Sequence, residues 1–332
     1  MIKFSVLDLA PVTTANNVAE SLRNSGDIAK HAEKWGYHRF WMAEHHNMKG
    51  IASAATSVAL AHIGSQTESI RIGAGGIMLP NHAPLVIAEQ FGTLAALYGD
   101  RVDLGLGRAP GTDQATVRAL RRDPNSAEEF PSDVQELLGY LGEAQPSQRI
   151  QATPGQGSHI PVWLLGSSLY SAQLAASLGL PFAFASHFAP DYLHMALQAY
   201  RANFKPSQYL KKPYAMAVVN VFAANTSEKA KTLMSSMQLQ FVALRQGNPG
   251  PLPEPVADIS KEVDAMALAG ANHALKYTAV GTSEEVNAYL SDFIAATEVD
   301  EVMLTCHAFD HSARLRSFEI AANTPVFKQA SV

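Results

Sequence analysis

The chain has 332 residues, 47% of them hydrophobic and 17% charged, which provides for a large buried core and excludes a disordered chain. Its 25 basic and 30 acidic side chains give a formal net charge of −5 without long runs of like charge, so there is no electrostatic footprint for nucleic acid or an anionic membrane. Cys306 is the only cysteine, which excludes an intrachain disulfide and a cysteine-based zinc site, and no uncharged apolar run approaches the ~18 residues of a membrane span.

Short apolar strands alternate with helical segments almost from end to end. Residues 4–9 read as the first strand, stopped by Pro11. Residues 18–35 read as a helix, with Leu22, Ile28, Ala32 and Trp35 near a 3.6-residue period. The pair repeats at 39–43 and 54–63. Strand three covers 70–79 and is ended by Pro80; Pro84 opens a helix whose apolar positions run from Val86 to Leu97. Strand four, 102–106, is closed by Gly107. The stretch 109–159 is less regular, with one helix over 132–141 and a loop rich in Gly, Pro and Gln from 142 to 158. Strand five covers 161–165, and its helix, 168–178, is ended by Gly179. Strand six (182–185) precedes a helix at 193–204. Strand seven (215–223) precedes a helix at 228–245. A Pro-rich segment at 248–255 begins an insertion that runs to about residue 275. Residues 277–280 form a short extra strand, and Thr282 with Glu285 makes a capping box for the next helix. Strand eight covers 299–305, and a last helix 311–322.

Eight principal strands, each trailed by a helix, predict one domain over residues 1–332. We expect a single (β/α)8 TIM barrel with insertions after strands 4 and 7. An open doubly wound sheet alternates elements in the same way, but eight repeats spread over the whole chain favour closure. The start, MIKFSVLDLA, lacks the basic opening and long apolar stretch of a secretory signal, and a cytoplasmic enzyme acting on a small molecule is expected.

Barrels carry their chemistry at the C-terminal ends of the strands. The turn Gly166-Ser167-Ser168-Leu169-Tyr170-Ser171 joins strand five to its helix. The N–H groups of the helix start, the macrodipole and three hydroxyls suit a phosphate. Strands four and five are neighbours roughly 4.8 Å apart, so Arg108 opens onto the same rim as a counter-charge. The plain alternative is a helix capped by Ser167 or Ser168 beside a solvated arginine. The run from Gly105 to Gly111 is spaced GxGxxxG with Pro110 inside it, and no acidic residue follows at the distance a nicotinamide dinucleotide site requires.

Strand two ends in Glu44-His45-His46, strand six in Ser186-His187 and strand eight in Cys306-His307. Alternation puts Glu44 and His46 on one side and His45 on the other, so this tripeptide does not converge on a metal without a bulge. No metal site is expected; His46 reads as a hydrogen-bonded rim residue, and a metal would have to draw on His187 or His307. Gly75-Gly76, after Ala74 in an apolar strand, marks either a bulge needed for closure or the close approach of a planar ligand.

The segments FWMAEHH at 40–46, IGAGGIMLPNHAP at 72–84, RVDLGLGR at 101–108, LLGSS at 164–168 and DEVMLT at 300–305 resemble, in this order, the bacterial luciferase-like, flavin-dependent monooxygenases. The resemblance implies a (β/α)8 barrel with reduced FMN at the strand C-termini. It implies a phosphate held at Gly166, Ser167, Ser168 and Ser171 with help from Arg108. The flavin ring would lie against Ala74, Gly75 and Gly76, often across an unusual cis peptide. It implies that His45 assists flavin oxygen chemistry on O2 and a small organic substrate. A separate NAD(P)H-dependent flavin reductase would supply the reduced FMN as a transient partner, and the chain would be a homodimer. Luciferase itself has two alanines in place of Gly75-Gly76 and an acidic residue in place of Ser167, so light emission is not implied. Some members of the wider family use a deazaflavin for hydride transfer, and some bind flavin without known turnover. Outside the family, the alternative is a metal-dependent barrel hydrolase using His45, His187 and His307. The roof of a flavin pocket falls to the 109–122 loop and the 248–275 insertion, with Trp41 and Met42 as candidate walls.

Overall fold

In the computed structural model, residues 2–109, 113–123 and 126–330 are described. The barrel strands are β1 (Lys3–Asp8), β2 (Arg39–Met42), β3 (Arg71–Met78), β4 (Val102–Gly107), β5 (Val162–Gly166), β6 (Phe182–Phe184), β7 (Ala215–Ala223) and β9 (Glu301–Thr305). All pair in parallel: β1 to β6 lie side by side, β6 joins β7, and β9 fits between β7 and β1. The ring therefore closes, which decides between a barrel and an open sheet.

The short extra strand is β8 (Thr278–Gly281), and it lies outside the ring. Met216–Asn220 of β7 pair with β9, and Asn220–Ala223 pair with β8, so β7 is long because it serves two partners in succession. The helices α1 (Val18–Trp35), α2 (Thr56–Gly64), α3 (Pro84–Tyr98), α5 (Phe130–Leu141), α6 (Leu169–Leu178), α7 (Leu193–Asn203), α8 (Ser227–Arg245), α10 (Ser283–Thr297) and α11 (His311–Ala322) follow the predicted order. Three short ones were not predicted: α4 (Gln114–Ala119), α9 (Ala265–Ala274) and α12 (Pro325–Ala330). Local chemistry explains the boundaries. The Asn17 side chain accepts from Glu20 N at the start of α1, and Gly36 ends it in a left-handed conformation, φ 84°. Thr282 and Glu285 form the expected capping box on α10. Among the described residues no helix is long and apolar enough to cross a membrane.

Strand alternation divides the core in two. Val6, Phe40, Ile72, Leu104 and Leu164 face outward under the helices. Leu7, Trp41, Trp163, Met216 and Met303 fill the barrel interior. Below them, at the N-terminal ends of the strands, lies a buried ion network absent from the sequence-based expectations. Arg39 Nη1 donates to Asp103 Oδ2 at 2.6 Å and its Nε to Glu301 Oε1 at 2.7 Å. Arg71 donates to Asp103 Oδ1 at 2.6 Å, Tyr214 donates to Glu301 Oε2 at 3.0 Å, and Ser5 also donates to Glu301. The charged floor closes one end of the barrel, and the other end is left for a ligand.

β3 departs from regularity where two glycines fall. The Gly75–Gly76 peptide is cis, and the register with β4 slips there: Ala74 and Ile77 lie opposite Leu104 and Leu106, one residue too many on β3. Both the cis peptide and the bulge expected at this position are present.

Candidate active site

The C-terminal ends of the strands surround a cavity of about 430 Å³, within the ordinary range for small-molecule sites. It brings together nearly all of the residues singled out from the sequence. Gly75, Gly76, Arg108, Gly166, Ser167, Ser168, Ser171 and His45 all line it. Ala74 does not: it is fully buried among the outward-facing core residues, so only its chain neighbours reach the cavity.

The glycine wall is a packing requirement as well as a flat surface. A Cβ on Gly75 would lie 2.9 Å from Leu7 Cδ1 and 3.0 Å from Trp41 Cε3. One on Gly76 would lie 2.8 Å from the Gly105 carbonyl oxygen. Both strands therefore approach as closely as backbone allows, and what remains is a wall without side chains.

Beside it stands the candidate anion cradle. Ser168 occupies the N-cap position of α6 with extended backbone, yet its side chain bonds no helix N–H, and α6 has no acidic residue in its first turn. This answers the capping alternative: the serine is in the capping position without doing the capping. Ser171 is buried, close enough to the strand end that a Cβ on Gly166 would lie 2.5 Å from its Oγ. Arg108 is exposed and lies over the Tyr170 ring, guanidinium carbon to centroid 4.1 Å. Tyr170 belongs to the first turn of α6, so this cation–π contact holds the arginine over the helix N-terminus. The tyrosine's part was missed in the sequence, although it sits inside the turn read as a phosphate site.

Across the glycine wall from the cradle, alternation sorts the tripeptide as expected. Glu44 turns away from the cavity. Its Oε1 accepts from His46 Nε2 at 2.7 Å and from His82 Nε2 at 2.8 Å, and its Oε2 accepts from Met78 N at 3.2 Å. The carboxylate thereby ties the end of β2 to β3 just beyond the bulge. His45 faces the cavity, with a buried Nδ1 that meets no partner among the described residues. Burial lowers its pKa below 6.5, His46 adding to the effect and Glu44 opposing it.

His187 and His307 also line the cavity, both buried. Burial is the main cause that lowers His187 to about 3, with His307 and His45 adding to it. Burial also lowers His307 to about 4, with Arg314 adding and Asp8 opposing. The hydrolase alternative needed His45, His187 and His307 to share one ion. Among the described residues the only group with ligand atoms close enough, within 4.8 Å of one another, is Glu44, His46 and His82. The three histidines of the hydrolase alternative are not such a group, and the sequence reading did not single out His82.

Two further expectations change. Trp41 walls the cavity, but Met42 points outward into the core beneath the helices, because neighbouring strand residues face opposite ways. Of the expected roof, Ala109, Pro249 and Gly250 reach the cavity, while residues 110–112 lie outside the described residues. Among the described residues one face of α8 also contributes: Met237, Gln240, Phe241 and Leu244. Their spacing of i, i+3, i+4 and i+7 was visible in the sequence as the signature of a single helix face.

Fold and site together define a (β/α)8 barrel with a largely apolar cavity at the strand C-termini, beside the N-terminus of α6. The chain belongs to the luciferase-like monooxygenase family, whose model matches residues 2–301. It is 53% identical over 321 residues to a luciferase-like monooxygenase of Escherichia coli (strain K12), covering 96% of each chain. It is 34% identical over 260 residues to the N-acetyl-S-alkylcysteine monooxygenase of Bacillus subtilis (strain 168), covering 74% of this chain and 75% of that one. Among solved structures it is similar to apo-MsnO8, with a TM-score of 0.86, 33% identity, and coverage of 97% and 98%.

Proposed function

We propose that the protein is an FMN-dependent monooxygenase that acts on an uncharged small organic substrate with O2, its reduced FMN delivered by a separate NAD(P)H-dependent reductase. One observation carries the reading: a cradle for a phosphate and a side-chain-free wall for a planar ring open onto the same cavity, with a neutral histidine at the wall's edge. Arg108, Ser167, Ser168 and Ser171 would hold the phosphate, and Gly75 and Gly76 would take the ring. Reduced flavin, when bound, supplies the electrons that activate O2.

The chain's own groups bind, orient and exclude water. Leu7, Trp41, Leu165 and Val218 from the barrel below, with Phe241 and Leu244 from α8 above, keep the cavity apolar. His45, held neutral by burial, can accept a proton on one ring nitrogen while donating from the other, as a proton-transfer role requires. An N-acetyl-S-alkylcysteine carries a carboxylate, and the described lining residues include no cation besides Arg108, which this reading commits to the phosphate.

Stopped-flow reoxidation of the reduced-FMN complex tests the proposal. His45→Ala should keep FMN affinity within a few-fold and the melting temperature unchanged, while productive oxygen use falls by roughly 10²–10⁴. Unchanged oxygen kinetics with a lowered melting temperature would return His45 to a structural role. Turnover with a reduced deazaflavin and none with FMN would overturn the cofactor assignment.

A further inference from the structure

The wall formed by β6, β7 and β9 holds buried polar atoms that no group among the described residues meets. They are His187 Nδ1, Asn220 Oδ1, Thr305 Oγ1 and both ring nitrogens of His307. Asn220 and Thr305 are register partners on β7 and β9. Each stands two residues beyond an inward-facing one, Val218 and Met303, so alternation turns both toward the barrel interior. His187 and His307, 7% and 6% exposed, line the cavity itself. Buried donors and acceptors are nearly always satisfied, so such a concentration in one sector marks a place that accommodates a ligand's polar atom.

His187 is held in position. Asn220 Nδ2 donates to the His187 carbonyl oxygen at 2.7 Å and to Thr278 Oγ1 at 3.2 Å. The His187 ring meets Phe188 edge-on, with centroids 4.7 Å apart. On this side the charged groups nearest His307, Arg314 and Asp8, are buried behind it and paired with each other. Arg108 belongs to the β4–β5 side, across the ring from β9, and no carboxylate is among the lining residues described. Burial keeps both imidazoles neutral, so they offer hydrogen bonds without a counter-charge. Around them Leu9, Phe188, Val218, Phe241 and Met303 are apolar.

We infer that His187 and His307 form the polar end of a substrate subsite, which selects an uncharged molecule with an apolar body and one hydrogen-bonding oxygen. The inference rests on the FMN reading only in committing Arg108 to a phosphate. Burying an unpaired carboxylate against neutral groups is far more costly than burying a carbonyl that accepts from an imidazole N–H.

The test titrates the full-length protein with 2-octanone and with octanoate in phosphate buffer, with and without FMN. Binding is followed by the fluorescence of Trp41, which lines the cavity, and of Trp163, in edge contact with it at 5.2 Å. The ketone should bind at least about ten-fold more tightly than octanoate. His187→Leu and His307→Leu should each weaken the ketone about ten-fold, while His307→Gln, which keeps a donor, stays within a few-fold. Equal or tighter binding of octanoate, no ketone binding, or ketone affinity unchanged in both leucine variants would overturn the inference. If a leucine variant fails to fold, the ketone-to-octanoate ratio of the unaltered protein still decides. An FMN absorbance titration of the same samples separates the two readings. Ketone preference without FMN binding would sink the cofactor, and FMN binding without ketone preference would sink the subsite.

Discussion

Burial fixes the protonation of the cavity histidines, and this makes a pH dependence. In the unfolded chain an imidazole titrates near 6.5, whereas folding holds His187 at about 3 and His307 at about 4. Between those values the unfolded chain binds protons that the folded chain refuses. Stability should therefore fall as pH drops from about 6.5 toward 4, with no contribution from these groups above 6.5. Half-buried His38, held at about 4 chiefly by burial with Arg39 adding, acts in the same direction. Melting curves across this range should show the loss, flattened in His187→Gln and His307→Gln. Ring NMR signals of either histidine titrating near pH 6.5 in the folded protein would contradict it. A second residue-scale expectation concerns Tyr170, whose ring lies under Arg108. Tyr170→Ala should weaken FMN by about two- to five-fold, the effect of a cation–π contact of ~0.5–1 kcal/mol, and should leave riboflavin affinity unchanged. Equal losses for both ligands would mean that the tyrosine serves the pocket generally. At this scale the site was legible wherever a single strand end carried its own signal, as Gly75-Gly76, Arg108, Ser167 and His45 do. Tyr170 and His82 were not, because their roles depend on where another strand's side chain arrives. Met42 could have been assigned correctly: the alternation that separated His45 from Glu44 also separates it from Trp41.

At the scale of elements, the seam between β3 and β4 is the most tightly specified place in the barrel. A Cβ on Gly76 meets the Gly105 carbonyl oxygen, which backbone pairing holds in place. A Cβ on Gly75 meets the end of Leu7 and the Trp41 ring. Gly76→Ala should cost ~1–3 kcal/mol by overpacking. Gly75→Ala should cost less, because Leu7 can turn its terminal methyl aside. Urea unfolding of the two variants checks the order, and a neutral Gly76→Ala would show that the seam is looser than described. Element order and type could be read because each strand–helix pair carries its own periodicity. The length of β7 could be read as well, but not its cause, since two successive partners become visible only once the ring is closed. The part of the roof that α8 supplies, from Met237 to Leu244, depends on how that helix lies across the barrel mouth, which its own periodicity does not carry.

The whole molecule divides its work between the two ends of the barrel: a charged floor that stabilises and an open mouth that binds. Arg39 bonds Asp103, 64 residues away, and Glu301, 262 residues away. Pairings at such separations depend on which strands become neighbours in the sheet, which no single strand's sequence carries, so the floor could not be anticipated. Arg39→Met would leave both carboxylates buried without the cation they share. It should destabilise the fold by ~3–5 kcal/mol, measured by chemical unfolding, while FMN affinity at the opposite end changes little. The central claim is that the mouth recognises a flavin by its phosphate, and paired absorbance titrations with FMN and riboflavin test it most directly. We predict much tighter binding of FMN than of riboflavin in the unaltered protein. Arg108→Ala should lose about ten-fold or more in FMN affinity, the scale of one charged hydrogen-bond partner at ~1.5–3 kcal/mol, with riboflavin unaffected. Equal affinities for FMN and riboflavin in the unaltered protein would contradict the account.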